Sequence, residues 1–213
     1  MNPHALNVLE YREALDLVAR FASSGLGADA VRALSPSADP GFIEPELARV
    51  EEMRAFLRGD SGWSVPAIPD VREGLRKLRV EGSVLDGTQL RDVGVLLASS
   101  RTTRRAVAQN AGSLPYLSLI SGGLAEREKD EAEIGRTLDD AGLVRDEASP
   151  ALYRLRREIK GARNRLVERL ASYMASLPSH YQVSDASVTV REGRYVIPVR
   201  REGRGEVGGI VHD

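Results

Sequence analysis

The chain has 213 residues, enough for one large or two small domains, and its 42% apolar and 29% charged residues are typical of a globular protein with a core. It contains no cysteine, which excludes disulfides, thiolate metal sites and thiol catalysis. The formal net charge is −1, and the sequence has neither a signal-peptide pattern nor the roughly 18 to 20 apolar residues of a membrane span, so a cytoplasmic protein is expected.

Charge is distributed unevenly along the chain. Residues 1–149 carry 18 Lys and Arg against 24 Asp and Glu, a net charge of −6, whereas residues 150–213 carry 12 against 7, a net charge of +5. A basic segment attached to an acidic body indicates that any polyanion is bound by the C-terminal third. The alternative is an arginine-rich helix face that is merely solvated, and charge alone does not separate the two.

The chain opens with two helix patterns. Apolar residues at helical spacing predict a first helix over residues 9–21. Glycines at 25 and 27 are expected to break it. A second, short helix is predicted over residues 28–34, where Ser35 and Pro36 stop it.

Five more helices are predicted before residue 149. Asp39, Asp70 and Asp86 each stand where a side-chain oxygen can cap a helix N-terminus, and a proline-rich connector occupies residues 61–70. These helices span residues 39–59, 70–79, 86–107, 114–120 and 126–138. We therefore expect residues 1–148 to form one helical domain with an apolar core, and no functional motif is visible in it.

The longest predicted helix begins after Ser149, a suitable N-cap, with Pro150 in the first turn. Apolar residues then recur at spacings of 3, 4, 3 and 4, a heptad seam that is typical of a helix packed lengthwise against a partner helix. At about 1.5 Å per residue this helix is roughly 42 Å long, so we expect it to project as an arm. The seam residues are Leu152, Leu155, Ile159, Ala162 and Leu166, and the stripe continues through Leu170 and Met174 to the stop at Pro178.

The outer faces of this arm helix are strongly basic. They carry seven Lys and Arg residues against only Glu158 and Glu168. Basic side chains in such an arrangement are suited to contact nucleic-acid phosphates without reading base sequence. The candidate arm contacts are Arg154, Arg156, Arg157, Lys160, Arg163 and Arg165, and Arg169 continues the set.

After the arm, the apolar pattern changes to alternation in twos with β-branched residues, which predicts strands. Strands are expected over residues 187–191 and 195–200, joined by a tight turn at residues 192–193, and a third strand over residues 209–211. Pro198 cannot donate a ladder hydrogen bond, so its strand should lie at an edge or be bulged. The fold class is therefore mainly α: a helical core followed by a long coiled-coil-like arm helix tipped with a small antiparallel β-sheet.

Six residues of the predicted hairpin region are further candidates for nucleic-acid contact. Tyr195 could stack on an unpaired base, although a hairpin tyrosine more often packs against the neighbouring strand. Three glutamates, at 192, 202 and 206, interleave with the basic residues, so the sequence indicates a tip that is only mildly basic. The basic residues, each of which could contact a phosphate, are Arg191, Arg194, Arg200, Arg201 and Arg204.

The sequence lacks recognisable catalytic and cofactor motifs. No G-x-x-x-x-G-K-[ST] loop occurs, so the chain is not expected to bind a nucleoside triphosphate in the Walker manner. His4, His180 and His212 are not at metal-ligand spacing, and the pair His212–Asp213 lacks a third catalytic member. The acidic run EREKDEAE is better explained as a solvated helix face than as an active site. We expect no catalytic residue, metal site or cofactor within these residues.

Several segments together resemble the type-2 branch of the MutS family. The opening LEYREALDLVARFASSGLGADAVRALSPS is similar to that family's amphipathic helix, break, second helix and Pro-Ser stop, and AIPDVREGLRKL and GSVLDGTQLRDV resemble its next helix starts. The most specific likeness is VRDEASPALYRLRREIKGARNRLVERL followed by SVTVREGRYVIPVRREGRGEVGGIVHD. The resemblance covers essentially the whole chain.

The resemblance implies an organisation and a function. Residues 1–148 would be a helical core or lever domain, and residues 149–213 the arm helix with part of a β clamp, ending before an ATPase domain. Members of the family form homodimers through that ATPase domain, which uses ATP and Mg²⁺, and often end in a nuclease-like Smr domain. They are associated with branched DNA, where they suppress recombination, or with stalled and collided ribosomes. The family lacks the mismatch-reading domain of mismatch-repair MutS proteins, as does this sequence.

Three functions are consistent with the sequence. The leading hypothesis is a non-sequence-specific nucleic-acid clamp and lever module that couples the ATPase domain to branched or duplex DNA, or to the ribosome and its RNA. The alternative is a structural or dimerisation scaffold whose seam binds a helix and whose arginines face solvent. A stand-alone enzyme ranks last because no site supports it. DNA and ribosomal RNA are not distinguished, since phosphate contacts look alike and no base-reading motif is visible.

Overall fold

A computed structural model describes residues 3–59 and 63–211, and its regular structure over these ranges is nine α-helices and one two-stranded antiparallel sheet. This confirms the predicted mainly α fold with a small sheet. The chain clusters into two units, Met1–Ala148 and Ser149–Asp213. Within the described ranges, no helix is long and apolar enough to cross a membrane.

The described part of the first unit contains eight helices. The longest, α6, packs against both α7 and α8, while α4 packs against α7, and α2 packs against α1 and α3. The helices are α1 (Pro3–Val8), α2 (Tyr11–Ala19), α3 (Gly25–Arg32), α4 (Pro40–Arg58), α5 (Arg72–Lys77), α6 (Gly87–Gln109), α7 (Pro115–Ser121) and α8 (Glu128–Thr137).

The N-terminal helices depart from the apolar pattern, which predicted one helix over residues 9–21. Glu10 adopts a left-handed conformation with φ 49°, so the segment is divided into α1 and α2. Gly25 and Gly27 do not lie in the predicted break between two helices but belong to the first turn of α3. Ser24 explains the difference, because its hydroxyl oxygen accepts a hydrogen bond from the Gly27 N–H at 3.1 Å and caps the helix.

Two of the three predicted aspartate caps are confirmed. Asp39 caps α4, and Asp86 forms a reciprocal capping box with Gln89 at the start of α6. The third prediction was wrong by one position, because Val71 and not Asp70 occupies the N-cap of α5. The Asp70 carboxylate instead accepts a hydrogen bond at 3.0 Å from the backbone N–H of Arg72, the first residue of α5.

The core of the first unit lies where α4, α6 and α7 meet. Phe56, Val107, Leu114 and Leu117 form the buried cluster, and Leu114 retains only 2% of its surface exposed. The ring of Phe56 stacks on Trp63 with 5.0 Å between centroids. Burial of these apolar side chains stabilises this unit.

The second unit begins with helix α9 (Pro150–Ser176) and continues into strands β1 (Thr189–Arg191) and β2 (Arg194–Val196). Ser149 caps α9 as the sequence predicted, with its hydroxyl oxygen accepting from the Leu152 N–H at 3.2 Å. The helix ends before Pro178, also as predicted.

The hairpin confirms the predicted antiparallel pair and tight turn. β1 and β2 pair in a register that joins Thr189 to Val196 and Arg191 to Arg194. Glu192 and Gly193 in the turn have φ angles of 49° and 74°. Two consecutive positive φ angles are the type I′ geometry, whose twist matches that of paired strands.

The strands are shorter and fewer than the sequence predicted. β2 ends at Val196 rather than at residue 200, because Pro198 has no N–H to donate to a ladder, and beyond it Val199 forms only an isolated bridge with Gln182. The predicted third strand over residues 209–211 does not form among the described residues. A strand requires a partner, and alternation in the sequence does not supply one.

Candidate nucleic-acid interface

The basic side chains of α9 are all exposed to solvent. Nε of Arg154 lies 3.9 Å from Oε1 of Glu158. Both side chains are more than 60% exposed, so this ion pair is weak. Arg157 places its guanidinium carbon 5.7 Å from the ring centroid of Tyr153, a cation–π contact. The helix thus presents its positive charge to solvent.

Helical geometry separates these basic residues into faces. At about 100° per residue, Arg156, Lys160 and Arg163 fall on one flank of the apolar seam, at spacings of 4 and 3 residues. Neither Glu158 nor Glu168 falls on that flank. The three residues, which we call the basic stripe, therefore form a row about 10 Å long without a glutamate of α9 between them.

The remaining arm candidates lie elsewhere on the helix. Arg154 and Arg165 fall on the opposite flank, together with Glu158, and Arg157 lies on the face away from the seam. The structure therefore does not bring all six arm candidates to one surface. The basic stripe is the contiguous part of the set, on a flank of α9 that carries neither Glu158 nor Glu168.

The apolar seam of α9 is exposed at three of its large apolar residues. Leu155, Ile159 and Leu166 retain 50%, 67% and 42% of their surface. Leu170 and Met174, nearer the hairpin, are half-buried. The predicted seam therefore exists as a continuous apolar surface beside the basic stripe.

The five tip arginines line a single open groove of 840 Å³ beside the hairpin, here called the tip groove. Leu170, Tyr173, Tyr195 and Ile197 contribute to its apolar lining. Among the described residues that line the groove none is acidic, since Glu192, Glu202 and Glu206 lie outside it. The arginines are Arg191, Arg194, Arg200, Arg201 and Arg204.

Local hydrogen bonds hold the tip groove together. The Arg200 N–H donates to the Tyr181 carbonyl oxygen at 2.9 Å, and a short 3₁₀ turn follows at residues 201–203. The Gln182 side chain donates a hydrogen bond to the Leu177 carbonyl oxygen at 2.6 Å. Leu177 is the C-cap of α9, so this bond gives its carbonyl group a donor that the helix does not supply. The segment that carries the arginines is thereby attached to the end of the helix.

Sequence reasoning missed two residues of the tip groove. Tyr173 was not singled out, and Leu170 was interpreted only as a continuation of the seam. The available signal was their spacing of three residues at the end of α9, but periodicity does not show which loop returns to that face. Tyr195 pairs with Val190 across the hairpin and is half-buried, which fits the predicted packing against the neighbouring strand, and it lines the groove as well.

Three arginines of the first unit, unlike those of α9, form ion pairs between two helices or their flanking residues. Three arginines of α6 form ion pairs with glutamates in or just before α8, of which the two-point pair Arg101–Glu131 is the least exposed. The hydrogen bond from Arg101 lowers the pKa of Glu131 and raises the pKa of Arg101. The other two pairs are Arg104–Glu126 and Arg105–Glu128. These arginines join two helices, which gives them a structural role.

Titratable groups do not assemble into a metal site in the part of the chain that the structure describes. His180 contacts Tyr181 edge to face, with 4.0 Å between ring centroids, and His4 lies in α1. His212 and Asp213, the candidate acid–base pair, lie outside the described residues.

Comparison with known proteins identifies relatives over the full length of the chain. No family model matches it. Proteins named Endonuclease MutS2 match all of it: that of Gemmatimonas aurantiaca is 46% identical over 216 residues, that of Symbiobacterium thermophilum 36% over 213, and that of Geobacillus kaustophilus 36% over 216. The chain spans only 26%, 26% and 27% of these relatives, the N-terminal quarter of each. The chain therefore belongs to the type-2 branch of the MutS family, as the counterpart of the N-terminal region of MutS2 proteins.

Proposed function

We propose that this chain is a cytoplasmic, non-sequence-specific nucleic-acid clamp and lever module, in which residues 149–213 contact the nucleic acid and residues 1–148 are the lever. The observation that carries the proposal is the basic stripe. Three exposed cationic side chains lie within about 10 Å on one flank of α9, and both glutamates of the helix lie on other faces. Such a row attracts a phosphate backbone, and contacts to phosphates fix position without reading base sequence.

The distribution of charge between the units supports this assignment. In the first unit, α6 arginines are neutralised by glutamates of α8 and the segment before it. In the second unit, the arm and tip arginines are exposed. A polyanion is therefore attracted to residues 149–213, although the net charge of the whole chain is −1.

The wider function follows from the family. The relatives are named endonucleases, and we propose that nuclease and ATPase activity, with ATP and Mg²⁺ as cofactors, belongs to the regions of MutS2 proteins that this chain does not match. We assign no catalytic residue to this chain. In a homodimeric MutS2 protein, the clamp would couple ATP turnover to branched DNA, in recombination suppression, or to stalled and collided ribosomes.

A binding titration tests the clamp. The chain is titrated against branched DNA, duplex DNA and structured ribosomal RNA at about 50 and 200 mM salt. Counterion release predicts that log K falls with log salt by about 0.9 per phosphate contact on duplex DNA. Replacing the three stripe residues by Gln should reduce that slope by about 2 to 3. The ranking of the three ligands then distinguishes DNA from the ribosome.

The matched control removes three positive charges from the first unit. The triple variant Arg12→Gln, Arg20→Gln and Arg76→Gln changes exposed side chains and lowers the net charge of the chain equally. It should leave the slope nearly unchanged. Equal effects of the two triple variants would show that net charge, and not the stripe, determines binding.

A scaffold role is the second candidate, and the exposed seam favours it. Leu155, Ile159 and Leu166 present an apolar row on one face of α9. Apolar heptad residues of this kind pack against another helix. Self-association that persists at high salt and is abolished by Ile159→Glu, in a chain that binds none of the nucleic acids, would establish this role instead. Sedimentation equilibrium measures it.

A further inference from the structure

The tip groove has features that simple contact with a duplex backbone does not require. Its lining includes five exposed arginines, and its described lining contains no acidic side chain. The same lining includes apolar residues and the aromatic residues Tyr173 and Tyr195. Phosphate contacts need only cationic or polar donors. A groove that is lined by both arginines and aromatic side chains suits a ligand that has both phosphates and flat, weakly polar faces.

We propose that the tip groove binds an unpaired segment of single-stranded nucleic acid, with phosphates at the arginines and bases against both Tyr173 and Tyr195. This inference rests on the proposed clamp function and adds a ligand to it. The basic stripe contacts the backbone of a duplex, whereas the tip groove takes unpaired nucleotides. A branched or partly single-stranded nucleic acid supplies both.

The two tyrosines are placed to contact a base. Tyr173 lies on α9 and retains 43% of its surface exposed. Tyr195 is held by its ladder pairing with Val190 and is half-buried while still lining the groove. Both positions are therefore fixed by regular structure, which lowers the entropic cost of stacking. Every base has an aromatic face, so such stacking does not depend on sequence.

The size and charge of the groove fit the same ligand. Its 840 Å³ lies in the range of about 300–1,000 Å³ that is usual for small-molecule sites, enough for a nucleobase with its sugar and phosphate. Arginine guanidinium groups bind phosphate oxygens through paired hydrogen bonds and also stack on bases. An acidic peptide shares the negative charge of nucleic acid but has no bases to stack on the two tyrosines.

The test compares strands with and without bases. Fluorescence anisotropy measures binding of the 213-residue chain to a labelled 12-nucleotide oligothymidylate, an abasic strand of the same length and a 12-base-pair duplex. Tyr173→Leu and Tyr195→Leu should each weaken binding of the ordinary strand about fivefold or more. Binding of the abasic strand and of the duplex should not change, because the arginines remain.

Two controls separate stacking from loss of fold. Tyr173→Phe and Tyr195→Phe keep the aromatic ring and should bind the ordinary strand like the wild type. Tyr116→Leu removes a tyrosine that is 40% exposed in the first unit and should have no effect. Circular dichroism of each variant checks that the helices are retained.

The outcomes distinguish this inference from the proposed function. If the duplex still binds but both Leu variants bind ordinary and abasic strands like the wild type, the groove inference is wrong and the clamp proposal stands. If no nucleic acid binds at 50 mM salt, both are wrong. If an oligoglutamate competes as effectively as oligothymidylate, the groove is a site for acidic peptides, and the single-strand assignment is overturned.

Discussion

Arg101 on α6 and Glu131 on α8 form a two-point ion pair, with Nε 2.8 Å from Oε2 and Nη2 2.7 Å from Oε1. Both side chains are about one-fifth exposed. The pair crosses the interface of the two helices, and the hydrogen bond from Arg101 holds the pKa of Glu131 below its ordinary value.

This pair predicts a pH-dependent contribution to stability. A carboxylate whose pKa is lower in the folded state stabilises the fold above its unfolded pKa, and this stabilisation is lost as pH falls through the lowered value. Glu131→Gln should therefore lower the Tm at pH 7, and its difference from the wild type should shrink below about pH 4. Calorimetry from pH 3 to 7 measures this. Glu133→Gln, in the exposed pair with Arg136, is the control and should change the Tm little. A pH-independent difference for Glu131→Gln would contradict the assignment.

The N-terminus of α7 is capped by a side chain from another helix. Glu52 on α4 accepts from the Tyr116 N–H at 3.0 Å and from the Leu117 N–H at 2.8 Å. Glu52→Ala leaves these first-turn N–H groups unsatisfied, so we expect it to lower the free energy of unfolding by about 1–2 kcal/mol. Urea unfolding measures the loss. Glu51→Ala, which removes only an exposed pair with Arg54, should stay within about 0.5 kcal/mol of the wild type.

Two glycines on facing helices should respond oppositely to alanine. A Cβ at Gly94 on α6 would lie 2.8 Å from Cγ2 of Ile134 on α8. Gly94→Ala should therefore force the two helices apart and lower the free energy of unfolding by about 1–3 kcal/mol. At Gly135, inside α8, a Cβ meets no atom within 4 Å, so Gly135→Ala should stabilise the chain by about 0.5–1 kcal/mol. Chemical denaturation of both variants tests the close approach. Stabilisation by Gly94→Ala would contradict it.

Asp70 should titrate far below an ordinary aspartate. The hydrogen bond from the Arg72 side chain lowers the pKa of Asp70 from 3.8 to about 2. Arg72→Gln should raise this pKa toward 3.8 but not fully to it, because the backbone N–H of residue 72 still donates to Asp70, and NMR titration of the Asp70 carboxyl carbon measures the change. Asp29 also accepts from Arg72, at 2.8 Å, so Asp29→Asn leaves the Asp70 contact in place and should retain the low pKa. An unchanged pKa in Arg72→Gln would refute this cause.

The two flanks of α9 should differ in nucleic-acid binding. Both triple variants remove three positive charges, but the opposite flank also carries Glu158, which already reduces its attraction for phosphate. We expect the stripe variant to lower the salt slope of duplex binding by about 2 to 3, and the opposite-flank variant by less than about 1. The first replaces Arg156, Lys160 and Arg163 by Gln, and the second Arg154, Arg165 and Arg169. Equal slopes would show that the helix binds without a preferred face.

Much of the helical structure was predictable, because its signals are local. Ser149 followed by Pro150 correctly marked the start of α9, and Asp86 that of α6. A cap is formed by residues within one turn of each other, so the chain needs no distant partner to specify it. The misplaced start of α3 arose from a competing local signal, the Ser24 cap, which outweighed the glycines that follow it.

By itself, the sequence determined the starts of α4, α6 and α9, the heptad seam, the tight turn at residues 192–193 and the uneven charge, since each depends on residues close together in the chain. Only the tertiary structure decided the composition of the tip groove. Five arginines interleaved with three glutamates predict a mildly basic tip, but the fold places all five arginines and none of those glutamates in the lining of one groove. It also brings Tyr173 of α9 to the same groove as Tyr195 of β2. The side chains that meet there are separated by more than twenty residues, and their meeting depends on the path of the chain between α9 and β2, which periodicity and composition do not encode.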